Sequence, residues 1–137
     1  MRRTDAADPK MTPPESGSLS IIRSTPNDAA GSGFEIFIAI DASGQVFAYN
    51  GHVDLGTGIR TALAQIVAEE LDVGFGRVTM ILGDTALTPD QGPTIASETI
   101  QITAPALRRA AAQAREFLVA RAAERLGEAV EDLEVED

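Results

Sequence analysis

The chain has 137 residues, with 11 basic and 21 acidic side chains giving a formal net charge of −10. That length supports one packed domain, and that charge disfavours nucleic acid and anionic membranes as partners, since both are polyanions. With no cysteine and a single histidine, the chain excludes disulfides, thiolate nucleophiles, iron–sulfur ligation, cysteine zinc sites and multi-histidine metal centres within itself.

No apolar run approaches bilayer-spanning length. Arg2-Arg3 is followed by Thr-Asp-Ala-Ala-Asp rather than by an apolar core, so no export signal is expected and a cytoplasmic location is. Residues 1–32 are rich in Pro, Ser, Thr, Asp and Gly, the composition of a flexible N-terminal arm. Its apolar island, Leu19-Ser-Ile-Ile22, fits either a segment packed against the domain or a partner, or a loosely held tail.

Residues 33–137 have the pattern of a single α+β domain. Phe34, Ile36, Ile38 and Ile40 alternate with other residues, which predicts a strand. Asp41-Ala-Ser-Gly44 is a turn, and Gln45-Val-Phe-Ala-Tyr-Asn50 returns as the second arm of a hairpin. Ile59, Ala62, Leu63, Ile66, Val67 and Leu71 then recur at helical spacing. Glu69, Glu70 and Asp72 lie late in this helix, against the dipole preference, so packing must hold it. Gly74 and Gly76 are expected to end it.

Arg77-Val-Thr-Met-Ile-Leu82 predicts a third strand, well buried, and Gly83 to Pro93 a breaker-rich loop of the length that tends to be functional. A long helix should start between Ala96 and Pro105 and end at Gly127. Its apolar stripe is Leu107, Ala111, Ala114, Leu118 and Ala122. Leu133-Glu-Val135 fits either a short edge strand or an acidic frayed end. The order of hairpin, helix, strand, long loop and long helix gives an α+β fold, a small sheet covered by two helices.

Two loops carry candidate chemistry. Gly56-Thr57-Gly58 directly precedes the first helix, where free backbone N–H groups and the helix dipole favour an anion. The same glycines also suit a plain strand-to-helix turn with a threonine cap. Thr94-Ile-Ala-Ser-Glu-Thr99 repeats the arrangement at the second helix. Ala96 leaves room there and Ser97 and Thr99 offer hydroxyls, although taken singly the motif suits a capped helix start better. Asp54, Asp84 and Asp90 lie nearby, but their spacing matches no metal loop, and turn or capping roles suit them better. His52, alone at a strand end, is expected at the surface or an edge. No catalytic and no metal-ligating residue is assigned.

Three segments in order, Gly51-His-Val-Asp-Leu-Gly-Thr-Gly-Ile-Arg-Thr-Ala-Leu-Ala-Gln-Ile-Val-Ala-Glu-Glu-Leu71, Arg77-Val-Thr-Met-Ile-Leu-Gly-Asp-Thr85 and Thr88-Pro-Asp-Gln-Gly-Pro-Thr-Ile-Ala-Ser97, resemble the molybdenum hydroxylases, the xanthine dehydrogenase and aldehyde oxidase family. Within it they look most like the large subunit of the isoquinoline oxidoreductase and nicotinate dehydrogenase type. The resemblance covers about residues 34–135. It implies that Gly56, Thr57 and Gly58 meet the phosphate end of molybdopterin, and that Thr94, Ala96, Ser97 and Thr99 hold the pterin. Family members often have Gln where Thr57 stands, and its amide bonds the cofactor; the shorter Thr57 leaves chiefly the backbone for that contact.

The family's catalytic glutamate and the glycine-rich segment on the metal's other side have no counterpart here, so this chain is expected to be part of a cofactor cradle without turnover of its own. The implied cofactor is molybdopterin, plain or in its cytosine dinucleotide form, expected to be absent or weakly held in the isolated chain. The implied partners are the remainder of the large subunit and an iron–sulfur subunit, with homo-oligomers in isolation. The alternative is a non-catalytic α+β interaction or oligomerisation module that kept the fold and lost the cofactor.

Overall fold

A computed structural model describes residues 19–24 and 34–135; most of the arm expected over residues 1–32 lies outside them. The strands are β1 (Leu19–Ser24), β2 (Phe34–Ile40), β3 (Val46–Asn50) and β4 (Val78–Leu82), and the helices are α1 (Ile59–Leu71) and α2 (Ala104–Leu126). The strands form one sheet in the order β1-β2-β3-β4. β1 and β3 run antiparallel to β2, and β4 runs parallel to β3. This is the α+β architecture that the order of elements predicts. The apolar island of the arm supplies an edge strand, with Leu19 opposite Ile40, Ser24 opposite Phe34 and one register slip between Ile21 and Ile22.

The β2–β3 hairpin closes at Asp41. Its carboxylate accepts from the Ser43 and Gln45 amides at 2.9 and 3.0 Å and from the Ser43 hydroxyl at 2.6 Å. That hydroxyl is the main cause holding the Asp41 carboxyl below its ordinary titration range. A parallel pair needs a crossover, and α1 provides it between β3 and β4. The register places Ile38, Val46, Ala48 and Met80 on one face. There they pack in one core with Leu63, Ala64 and Val67 of α1 and with Leu107, Ala110, Ala111 and Ala114 of α2. β2 and β3 are buried on both faces, since Phe37 and Tyr49 of the opposite face are also inaccessible, and burial raises the Tyr49 hydroxyl above its ordinary titration range.

Three local expectations change, and one open alternative is decided. The end of α1 is not a glycine: Asp72 takes the left-handed conformation at φ 59°, and Val73 N donates to Ala68 O at 3.1 Å. β4 is an edge strand, so only Met80 is fully buried in it. The α2 stripe holds at Leu107, Ala111 and Ala114, but Leu118 is 41% exposed, and burial in the second half of the helix falls on Ala123 instead. Leu133, Glu134 and Val135 form no strand; a single 3-10 turn, Val130–Asp132, precedes them. Gly127 ends α2 as predicted. Among the described residues no helix is long and apolar enough to cross a membrane.

Candidate functional site

β3 ends in a polar residue on its core face. Asn50 follows Val46 and Ala48 at period two and is fully buried. A buried carboxamide must be hydrogen-bonded. Its Oδ1 accepts from the backbone N–H of His52 at 3.0 Å, and its Nδ2 donates to Thr103 Oγ1 at 2.9 Å. Thr103 in turn donates to Thr99 O at 2.8 Å. Thr99 to Thr103 form a π-helical turn leading into α2, a local irregularity that recurs at functional sites.

His52 is not a surface residue. It is 1% exposed, enclosed because Asn50, Thr99 and Gln91 converge on it. Nδ1 lies 2.8 Å from Thr99 Oγ1, and Nε2 lies 3.3 Å from Gln91 O. Two further bonds join the segments around it. Gly51 N donates to Gln91 Oε1 at 2.8 Å, and Val53 N donates to Thr94 Oγ1 at 2.9 Å. Loops forty residues apart in sequence are therefore fastened side by side. Gly51 allows this contact, since a Cβ there would sit 2.2 Å from Pro89 O.

The first loop departs from expectation in one respect. The N–H groups of Gly56, Thr57 and Gly58 are not free: all three donate to Asp54 Oδ1, at 2.9, 3.0 and 3.2 Å. Arg60 N donates to Asp54 Oδ2 at 3.1 Å. The anion-attracting start of α1 thus already holds a carboxylate, the chain's own. The Arg60 amide is the largest cause holding the Asp54 carboxyl below its ordinary range; desolvation opposes it, and the Gly56, Gly58 and Thr57 amides add to it. Thr57 does not cap the helix with its side chain; its hydroxyl, like that of Ser97, makes no hydrogen bond within the described residues.

The second loop keeps its outward donors. Ala96 and Ser97 both have positive φ, 49° and 59°, and Glu98 N donates to Ile95 O at 3.0 Å across them. Two left-handed non-glycine residues in succession carry strain, which tends to persist at ligand-handling sites. Ser97 and Ala96 are exposed, Thr94 is half-buried, and Thr99 is buried with its hydroxyl committed to His52. Neither Ser97 nor Thr99 caps the helical turn. The structure thus fastens Thr94 and Thr99 to the first loop at Val53 and His52, with Ala96 and Ser97 exposed between them, and Thr57 exposed further along the first loop.

Asp84 and Asp90 hold turns, accepting from Ala86 N at 2.9 Å and from Gly92 N at 3.2 Å. Among the described residues no group of three or more His, Asp or Glu side chains could hold a metal. The sequence signal for Asn50 and His52 was a polar residue continuing the inward period of β3, and composition alone passes over it.

Residues 17–137 match the family described as the molybdopterin cofactor-binding domain. The chain is 61% identical over 102 residues to a nicotinate dehydrogenase subunit of Pseudomonas putida, covering 74% of this chain and 9% of that protein. It is 36% identical over 98 residues to the gamma subunit of the 6-hydroxypseudooxynicotine dehydrogenase complex of Paenarthrobacter nicotinovorans, covering 72% and 12%. It is 33% identical over 106 residues to a probable xanthine dehydrogenase subunit of Bacillus subtilis, covering 77% and 14%. The chain therefore spans about a tenth of the length of these curated relatives.

Proposed function

The chain belongs to the molybdopterin cofactor-binding domains of the molybdenum hydroxylase family, and on that footing we propose that its two fastened loops hold one end of molybdopterin within a larger oxidoreductase. The observation that carries this is the pinning of Val53 N on Thr94 Oγ1 at 2.9 Å and of His52 on Thr99 at 2.8 Å, which sets two hydroxyl-bearing loops side by side. The donor set suits a pterin and its phosphate. The Ser97 and Thr57 hydroxyls are unengaged among the described residues, and the Thr94 hydroxyl, which accepts from Val53, keeps its own proton to donate.

Gly56 and Gly58 leave the first loop without side chains, so a ligand can approach its backbone. Their N–H groups serve Asp54, so the phosphate end is held by the Thr57 hydroxyl and the loop's outer edge. Ala96 and Ser97 give the second loop a small, strained, outward surface, and Thr99 orients it from behind. The bound cofactor supplies the redox and oxygen-transfer chemistry, and this chain binds and orients it.

For the whole protein we propose hydroxylation of an N-heterocyclic carbon with oxygen taken from water, an aldehyde being the other substrate class of the family. Support comes from the names of the relatives, which include a nicotinate and a xanthine dehydrogenase. The partners proposed with it are the remainder of the large subunit and an iron–sulfur subunit, in the cytoplasm, and the cofactor is plain molybdopterin or its cytosine dinucleotide.

Thermal unfolding of the chain with and without added molybdopterin tests the cofactor role. A ligand at a hundredfold excess over its Kd stabilises by about 2.7 kcal/mol. A rise in Tm that Ser97→Ala and Thr57→Val reduce is expected, and no rise in the wild-type chain refutes it. Phe117, Leu118, Leu126 and Val130, all at least 41% exposed on and just beyond the distal half of α2, favour self-association of the isolated chain as a second property. Sedimentation velocity tests it, and a monomer at high concentration refutes it.

A further inference from the structure

We propose that His52 is a positioning residue that sets the spacing of the two cofactor loops, an inference that rests on the cofactor-holding role proposed above. Its two ring nitrogens engage opposite ends of one segment. Nε2 faces Gln91 O at 3.3 Å, where the second loop begins, and Nδ1 faces Thr99 Oγ1 at 2.8 Å, where it ends. A carbonyl oxygen only accepts, so Nε2 carries the proton; Nδ1 is then the acceptor, and the Thr99 hydroxyl donates to it.

Residues 91–99 are thus a loop tied at both ends to a single imidazole. The backbone that carries the ring is anchored to the end of β3. The His52 N–H donates to Asn50 Oδ1, Asn50 Nδ2 donates to Thr103, and Thr103 donates to Thr99 O. The circuit Asn50–Thr103–Thr99–His52 is closed, and it leaves no buried polar group of these side chains without a partner. An apolar residue fills a core equally well. What an apolar residue does not supply is a rigid link, of fixed length, between the end of β3 and both ends of the second loop.

Two amides report on that link directly. Gly51 N and Val53 N belong to the first loop but donate to Gln91 Oε1 and Thr94 Oγ1 in the second. The Gly56, Thr57 and Gly58 amides, by contrast, are held by Asp54 inside the first loop and serve as the internal reference.

The test uses the full chain, uniformly ¹⁵N-labelled, as wild type, Thr99→Val and His52→Phe. In the wild type, the imidazole ¹⁵N shifts should report the Nε2-protonated tautomer. In Thr99→Val, exchange at Gly51 and Val53 should rise about tenfold relative to Gly56, Thr57 and Gly58, and molybdopterin Kd should rise with it. Thr99→Val keeps the imidazole in place, so it decides the matter if His52→Phe does not fold. An unchanged or uniform exchange pattern in Thr99→Val, or an Nδ1-protonated ring in the wild type, overturns the proposal. A wild-type chain that binds no molybdopterin would instead refute the cofactor role, and the amide pattern would still decide whether His52 ties the loops.

Discussion

Gly51→Ala isolates the contact on which the site depends. A Cβ at this position would lie 2.2 Å from Pro89 O, 3.2 Å from Gln91 N and 3.4 Å from Gln91 Cβ. The nearest obstacle is backbone of a buried proline, so no rotamer change relieves it. Gly51 is not among the glycines with positive φ, so alanine adds no backbone strain. Pro89–Gln91 must move by about 1 Å to restore ordinary contact, which costs about 1–3 kcal/mol as overpacking. The same movement stretches the 2.8 Å bond from Gly51 N to Gln91 Oε1, worth about 1 kcal/mol. Alanine restricts the unfolded chain and returns about 0.4–1 kcal/mol. The expected net loss is about 1–3.5 kcal/mol, or a Tm lowered by about 4–12 °C for a domain of this size. Urea unfolding followed by circular dichroism measures it, with Gly76→Ala as control, because a Cβ at Gly76 meets nothing within 4 Å. A Gly51→Ala variant within about 0.5 kcal/mol of wild type would mean that the two loops are not in contact as described.

Asp54→Asn should destabilise the chain at neutral pH by removing the carboxylate that receives four amides at the start of α1. The folded carboxyl titrates below its ordinary 3.8, so its contribution is complete above that value and is lost as pH falls through the lower folded value. The gap between wild type and variant in chemical unfolding should therefore close below pH 3.8, and a gap that stays constant would refute the assignment. Ala96→Gly and Ser97→Gly should each stabilise by about 0.5–1 kcal/mol, because relief of the left-handed conformation exceeds the added unfolded-state entropy. Calorimetry checks this, and destabilisation by either would show the loop to be unstrained. Leu107→Ala, at a fully buried position, should cost about 2–5 kcal/mol, while Leu118→Ala should change stability by about 0.5 kcal/mol or less. Equal losses at the two positions would place the outer half of α2 in a core.

Much of the fold is legible in local pattern. Alternation in Phe34–Ile40, the 3.6-residue stripe of Ile59–Leu71 and the left-handed glycine after Leu126 each reflect one element's own periodicity or termination, and the structure agrees with them. The two loops are legible too, as glycine- and hydroxyl-rich starts of helices. What each loop does with its donors is not. The glycine signature at Gly56–Gly58 is the same whether the N–H groups await a ligand or already bind Asp54, because both uses need the same backbone conformation. Composition likewise assigns a lone histidine to the surface, and only the approach of Gln91 and Thr99 encloses it.

Sequence by itself therefore determined β2, β3, β4, α1 and α2, their sorting into one small α+β layer, and the family, since each rests on the order and periodicity of neighbouring residues, whereas β1 is defined by its pairing with β2. Tertiary structure decided that His52 is buried, and that Thr94 and Thr99 fasten the second loop to the first. Those contacts join residues about forty positions apart. Their existence depends on β3 and the π-helical turn arriving at the same place, which no local pattern encodes.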